Sequence, residues 1–315
     1  MHLLQGLILE WPSLAIGWEQ GLSTPSKVLK GVCVTSLMAA VMACGGGGSP
    51  GTPDLTLVKP DSYVLKWSDE FNQDGAPGTA WAYDEGSPLL GGTVWGNNEK
   101  QFYTREASNV FVSNGLLTIQ ALEGVPPGAP SGLGLVATSA RITTDTNAYY
   151  NALNATPYGF YEIKAKVPCV AGAWPAVWMM GKNGSWPGRG EIDIMEWFGA
   201  FFVGQPNQVQ SAIHTNNNYG NTALYAKQNL ANMCTEFHRF QLHWSANELL
   251  IGVNGVPTFS YKKPSNANAN SWPFDQPAYL LLNVAVGGNL GGNVSLSNLP
   301  AMRMEVDYIK VWQSP

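Results

Sequence analysis

Beyond residue 60, apolar and polar residues alternate one by one through most of this chain. That period constrains the fold more than any other feature. In GFYEIKAKVP at 159–168, Tyr161, Ile163, Ala165 and Val167 alternate with Phe160, Glu162, Lys164 and Lys166. Successive strand side chains point to opposite faces, so such a run presents one apolar and one polar surface. Further strand-like runs lie at 63–67, 109–122, 137–144, 173–181, 191–199, 209–215, 238–261, 278–288 and 301–313. Asn114-Gly115 and Asn254-Gly255 fall between strand-like halves, a strong hairpin signal. No segment offers a convincing long helix, and no βα alternation is present. The pattern predicts one all-β domain of two packed antiparallel sheets. A sandwich this large is expected to curve and leave one concave face open. Composition agrees, because only 12% of residues are charged, against about 25% in ordinary domains. Helix bundles need more Glu, Lys and Arg on their surfaces, and disordered chains need less apolar content. A net charge of −5 argues against a nucleic-acid partner held by phosphate neutralisation.

The amino end reads separately. Lys27 and Lys30 precede the apolar run GVCVTSLMAAVMAC, which ends at Cys44. The run is shorter than the roughly 20 residues that span a bilayer, and it fits the apolar region of an export signal. Val41-Met42-Ala43-Cys44 resembles a bacterial lipoprotein processing site, which would leave Cys44 lipidated at the new amino end. GGGGSPG behind it suits a flexible tether. The expected organisation is a leader over 1–43, a lipidated cysteine and linker over 44–60, and a catalytic domain over 61–315. Residues 1–26 sit ahead of the basic stretch, so a true translation start near Val28 or Leu29 is expected. Losing residues 1–43 removes two lysines and two glutamates and leaves the net charge unchanged. The expected localisation is the cell envelope or the exterior, with membrane contact only through Cys44. In an exported chain Cys169 and Cys234 are free to pair, or they remain buried thiols. No CxxC cluster suggests a cysteine-based zinc site.

The chemistry concentrates in Gly190-Glu191-Ile192-Asp193-Ile194-Met195-Glu196-Trp197. In a strand Glu191 and Asp193 share a face, and strict alternation sends Glu196 to the opposite, apolar one. Burying a carboxylate there is expensive. A one-residue bulge near Ile194 or Met195 would return Glu196 to the row. Mutual repulsion among three adjacent carboxylates raises at least one pKa, which suits an acid catalyst at neutral pH. A calcium site, solvated acids on an edge strand and a glycosidase pair are the competing readings. Four of the twelve tryptophans, Trp174, Trp178, Trp186 and Trp197, surround this segment. Indole faces stack on sugar C–H faces, so the aromatic setting favours the glycosidase.

GRGEIDIMEW resembles the catalytic signature of bacterial laminarinase-like endo-β-glucanases of glycoside hydrolase family 16, the superfamily of lichenases, agarases and κ-carrageenases. KWSDEFN at 66–72, WGNNEKQFYT at 95–104, LLTIQA at 116–121 and SARITT at 139–144 are similar to that family. So are YGFYEIKAKVP at 158–168, GAWPAVWMMG at 172–181, IHT at 213–215, FDQPAYLLLNVAVGGNLGG at 274–292 and MEVDYIKVWQ at 304–313. The resemblance covers about residues 61–313. It implies a β-jelly-roll sandwich with a concave substrate cleft. It further implies a retaining, endo-acting hydrolase of β-1,3-glucan, with Glu191 as nucleophile, Asp193 as its modulator and Glu196 as general acid/base. Glu-x-Asp-x-x-Glu resembles the laminarinase branch, whereas lichenases usually lack the extra residue.

Implied substrate-binding positions are Asn98, Glu99, Arg141, Trp174, Trp178, His214 and Asn283, with Trp174 and Trp178 before the cut. The family's GGNWGG loop has Leu290 in place of Trp here. No cofactor is required for the chemistry. A structural calcium in such domains would fall to Glu70 and Asp307. The partner is a β-glucan polysaccharide, and a monomer is expected. Mixed-linkage glucan, agarose and carrageenan are alternative substrates. A non-catalytic β-glucan-binding lipoprotein is the alternative outside enzymes, but such proteins typically lose one of the acids.

Overall fold

The computed structural model describes residues 56–86, 97–146 and 157–315. The leader, Cys44 and the tether lie outside these residues. Eighteen strands are present among the described residues. In chain order they begin with β1 (Val64–Asp69), β2 (Ala82–Tyr83), β3 (Gln101–Tyr103), β4 (Val110–Ser113), β5 (Leu116–Gln120) and β6 (Leu122–Glu123). Then come β7 (Ala137–Ser139), β8 (Arg141–Thr143), β9 (Gly159–Lys166), β10 (Ala173–Gly181), β11 (Glu191–Glu196) and β12 (Gln208–His214). The last six are β13 (Leu224–Asn229), β14 (His238–Trp244), β15 (Glu248–Val253), β16 (Val256–Lys262), β17 (Ala278–Val286) and β18 (Arg303–Gln313). Among the described residues the single α-helix, α1 (Gly288–Gly291), is one turn long.

Two large sheets account for most of these strands. An eight-stranded sheet runs β16-β15-β14-β9-β18-β5-β4, with β1 also on β18. A seven-stranded sheet runs β13-β12-β11-β10-β17-β8-β2. All their pairings are antiparallel, as the absence of βα units requires. A small third sheet, β3-β7-β6, contains one parallel pair. Both expected hairpin turns form. Asn114 and Gly115 have φ of 53° and 75°, and Asn254 and Gly255 have 53° and 88°. Positive φ at both centres marks the turn whose twist matches that of its strands.

The core lies between the two large sheets. Ile163, Ala165, Leu242, Ile251, Val306 and Ile309 face it from the first sheet. Val177, Met179, Ile192, Ile213, Leu280 and Leu282 face it from the second. The alternate residues of the second sheet point away from this core and form an open face. Cys169 and Cys234 are bonded, with Cα atoms 5.5 Å apart. The bond joins the β9–β10 and β13–β14 connections, both of which cross between the sheets.

Candidate active site

β11 supplies the acid row, and its bulge falls where the alternation demands. Against β10, Met195 pairs with Val177 and Asp193 with Trp178, so Ile194 is the extra residue. Against β12, Asp193 pairs with Ala212 and Glu196 with Gln210. Two residues, Ile194 and Met195, therefore oppose Ser211 alone, whose hydroxyl donates to the Ile194 carbonyl at 2.9 Å. The bulge turns Ile192 and Met195 into the core and brings Glu191, Asp193 and Glu196 onto one face.

The neighbouring strands place the other site residues in register. Across the sheet, Arg141, Asn283, Ala176, Glu196 and Gln210 form one row. Leu281, Trp178, Asp193 and Ala212 form the next, and Tyr279, Met180, Glu191 and His214 the third. The Trp174 indole donates to Glu196 Oε1 at 2.9 Å. Trp178 donates to Asn283 Oδ1 at 2.8 Å, and Asn283 Nδ2 in turn donates to Tyr103 Oη at 3.1 Å. The Arg141 guanidinium lies over the Trp178 ring at 4.6 Å and pairs with Asp84 through Nε at 2.9 Å. His214 Nε2 sits 3.1 Å from Asp193 Oδ2.

Burial raises the Glu191 carboxyl to about 8, and the charge of Asp193 adds to the effect. The same two causes, in that order, push Glu196 well above the usual carboxylate range. Burial alone would lower the His214 imidazole, but its hydrogen bond and attraction to Asp193 override this and raise it to about 9. The row thus titrates as one system, in which losing a first proton makes the second harder to lose. Between those steps one glutamate is protonated and the other ionised. Acid-plus-nucleophile chemistry at a glycosidic bond needs that state.

Glu99 joins the open-face residues from β3's leading turn, where it bridges to Gly287. It is buried, accepts a 2.6 Å hydrogen bond from Gln101, and is raised by burial to about 7. Asn98 has φ of 56° and donates to Asn289 Oδ1 at 3.0 Å, beside α1. Leu290, within α1, packs against the core, and its carbonyl accepts from the Ala200 N–H.

Three placements add to the sequence reading. Trp197, one of the four clustered indoles, is fully buried in the core and donates to the Pro206 carbonyl. Trp186, which has no individual role in the sequence reading, donates to Glu191 Oε2 and is half exposed. Its position five residues before Glu191 was the available signal. Glu70 and Asp307 face lysines instead of each other, Glu70 with Lys310 at 3.1 Å and Asp307 with Lys164 at 2.7 Å. Calcium takes six to eight oxygen ligands, and among the described residues neither acid belongs to a cluster of three His, Cys, Asp or Glu ligands. Glu191, Asp193 and His214 do lie within 4.8 Å of one another in a spacing open to a metal.

Comparison with known proteins gives a consistent picture. The model of glycosyl hydrolases family 16 matches residues 97–310. A beta-glucanase from Rhodothermus marinus is 34% identical over 294 residues, covering 88% of this chain and 93% of its own. Glucan endo-1,3-beta-glucosidase A1 from Niallia circulans is 33% identical, over 84% of this chain and 39% of its own. The crystal structure of a non-specific endo-beta-1,3(4)-glucanase superposes with a TM-score of 0.73 at 35% identity. That match covers 82% of this chain and 94% of the solved one.

Proposed function

The chain belongs to glycosyl hydrolases family 16, and from that premise we propose that it cuts β-1,3-glucan internally, with retention at the anomeric carbon. Glu196 protonates the leaving glycosidic oxygen while Glu191 attacks the anomeric carbon. The glycosyl-enzyme is then hydrolysed by water that the deprotonated Glu196 activates. Asp193 does not touch the sugar's reacting bond in this scheme. It raises both glutamates and holds the His214 proton. Trp174 and Trp178 stack the sugars before the cut, with Arg141 and Asn283 fixing the Trp178 ring. The observation that carries this reading is the Ile194 bulge, which puts two glutamates and an aspartate on one open face of the sheet.

The test is a product profile on laminarin, mixed-linkage glucan, agarose and κ-carrageenan, with Glu191→Gln as the blank. Laminarin is expected to yield a ladder of oligomers, with Glu191→Gln slower by more than about 10³-fold. Intact laminarin beside cleaved agarose would overturn the substrate. Full activity in Glu191→Gln would overturn the mechanism. The chemistry of the leader further supports export, with processing before Cys44 and lipidation of its thiol. The Cys169–Cys234 bond suits an oxidising compartment. Intact mass of the mature chain checks the processing site, and a chain retaining Leu7 or Trp18 would refute it.

A further inference from the structure

The seven-stranded sheet continues two strands past the acid row, and its far edge carries an aromatic side chain with no assigned role. β13 alternates strictly. Leu224, Ala226 and Gln228 are half-buried, while Tyr225, Lys227 and Asn229 are exposed. Leu224 and Ala226 pack on the core, so the exposed set lies on the open face. Register carries the argument further. Trp178 pairs with Asp193, Asp193 with Ala212, and Ala212 with Tyr225. One straight row therefore crosses the cleft, with an indole one strand to one side of Asp193 and a phenol two strands to the other.

Strands in a sheet lie about 4.8 Å apart, so Tyr225 stands roughly 10 Å from the acid row. That is the reach of two consecutive hexose rings. Ala212, between them, is small and buried flush with the floor. Tyr225 is 57% exposed, and the Lys227 ammonium lies 5.8 Å from its ring centroid. On the same side of the acid row, Trp186 and Tyr219 stand edge to face at 5.6 Å, both about half exposed. Trp178 serves the sugars before the cut, so this side receives the chain that departs.

We propose that Tyr225 is the stacking floor for the second sugar beyond the scissile bond, on the leaving-group side of the cleft. The proposal rests on the glucanase reading above and adds to it a requirement for substrate length. A ring face that is apolar at its centre and wet at its hydroxyl matches the C–H face of a pyranose. Binding there helps only substrates with at least two sugars past the cut.

The test compares Tyr225→Ala and Tyr225→Phe with the wild type on two substrates. One is a β-1,3-linked glucose hexamer. The other is an aryl β-1,3-glucoside whose leaving group ends immediately after the scissile bond. Tyr225→Ala is expected to raise KM for the hexamer about tenfold, equivalent to ~1.4 kcal/mol, and to leave the aryl glycoside unchanged. Tyr225→Phe keeps the stacking face and is expected to stay within about twofold of wild type on both. An unchanged hexamer KM in Tyr225→Ala overturns the proposal. So does an equal loss on both substrates, which marks a general structural effect. Melting temperatures of both variants separate that effect from binding. A wild type inactive on both substrates overturns the glucanase reading itself, and the subsite falls with it.

Discussion

Asp193 shows how many titrating neighbours one carboxylate can govern. It sits between two buried glutamates and against one imidazole, raising all three. Replacing it by Asn removes a negative charge from beside Glu191 and Glu196, which lowers both pKa values. It also releases the His214 proton, and loss of that positive charge acts in the opposite sense. Among the influences on Glu196, Asp193 outranks His214. The net shift is therefore downward, and the alkaline limb of kcat/KM is expected to move to lower pH. A pH–rate profile of Asp193→Asn checks this, and a limb that moves upward would refute the assignment. At this scale the acid row was legible because its three members lie within six residues. The link from Trp178 through Asn283 to Tyr103 was not, because Asn283 and Tyr103 are 180 positions apart.

The decisive element is β11. Its sequence alternates for three residues and then breaks phase, and a bulge at Ile194 absorbs the break. The physical demand was readable, since a carboxylate resists burial in an apolar layer. Deleting Ile194 removes the extra residue, and strict alternation in Glu-Ile-Asp-Met-Glu then keeps Glu196 on the open face without a bulge. Glucan hydrolysis is expected to survive the deletion, and the melting temperature to fall because a buried core side chain is lost. Ser211→Ala removes only the hydroxyl that caps the bulge carbonyl, and is expected to cost about 1 kcal/mol with activity largely kept. Denaturant unfolding and activity, measured on both variants, check the pair. β13 shows the opposite case. LYAKQN alternates in the sequence, yet it is short and its inward set includes Gln228, so its membership of the sheet was not evident. Its partner strand supplies the pairing that makes it an element.

Across the whole molecule, the two sheets are tied where the chain crosses between them. The Cys169–Cys234 bond closes a sequence separation of 65. In the chain-entropy picture a loop of that size contributes about 4 kcal/mol, and its loss lowers the melting temperature by roughly 10 °C. The Cys169→Ser/Cys234→Ser variant, scanned without reductant, checks this; an unchanged melting temperature would show that the sandwich core alone sets the stability. By itself, the amino-acid sequence determined the β class, the two Asn-Gly hairpins and the identity of the acid row. Each of these follows from local period or from residues within one turn or strand. Only the tertiary structure decided which indoles meet the acid row. Trp197 and Trp174 flank the same acids, yet one is sealed in the core and the other donates to Glu196. Which face a side chain takes depends on register against strands far away in sequence, and local pattern does not encode that.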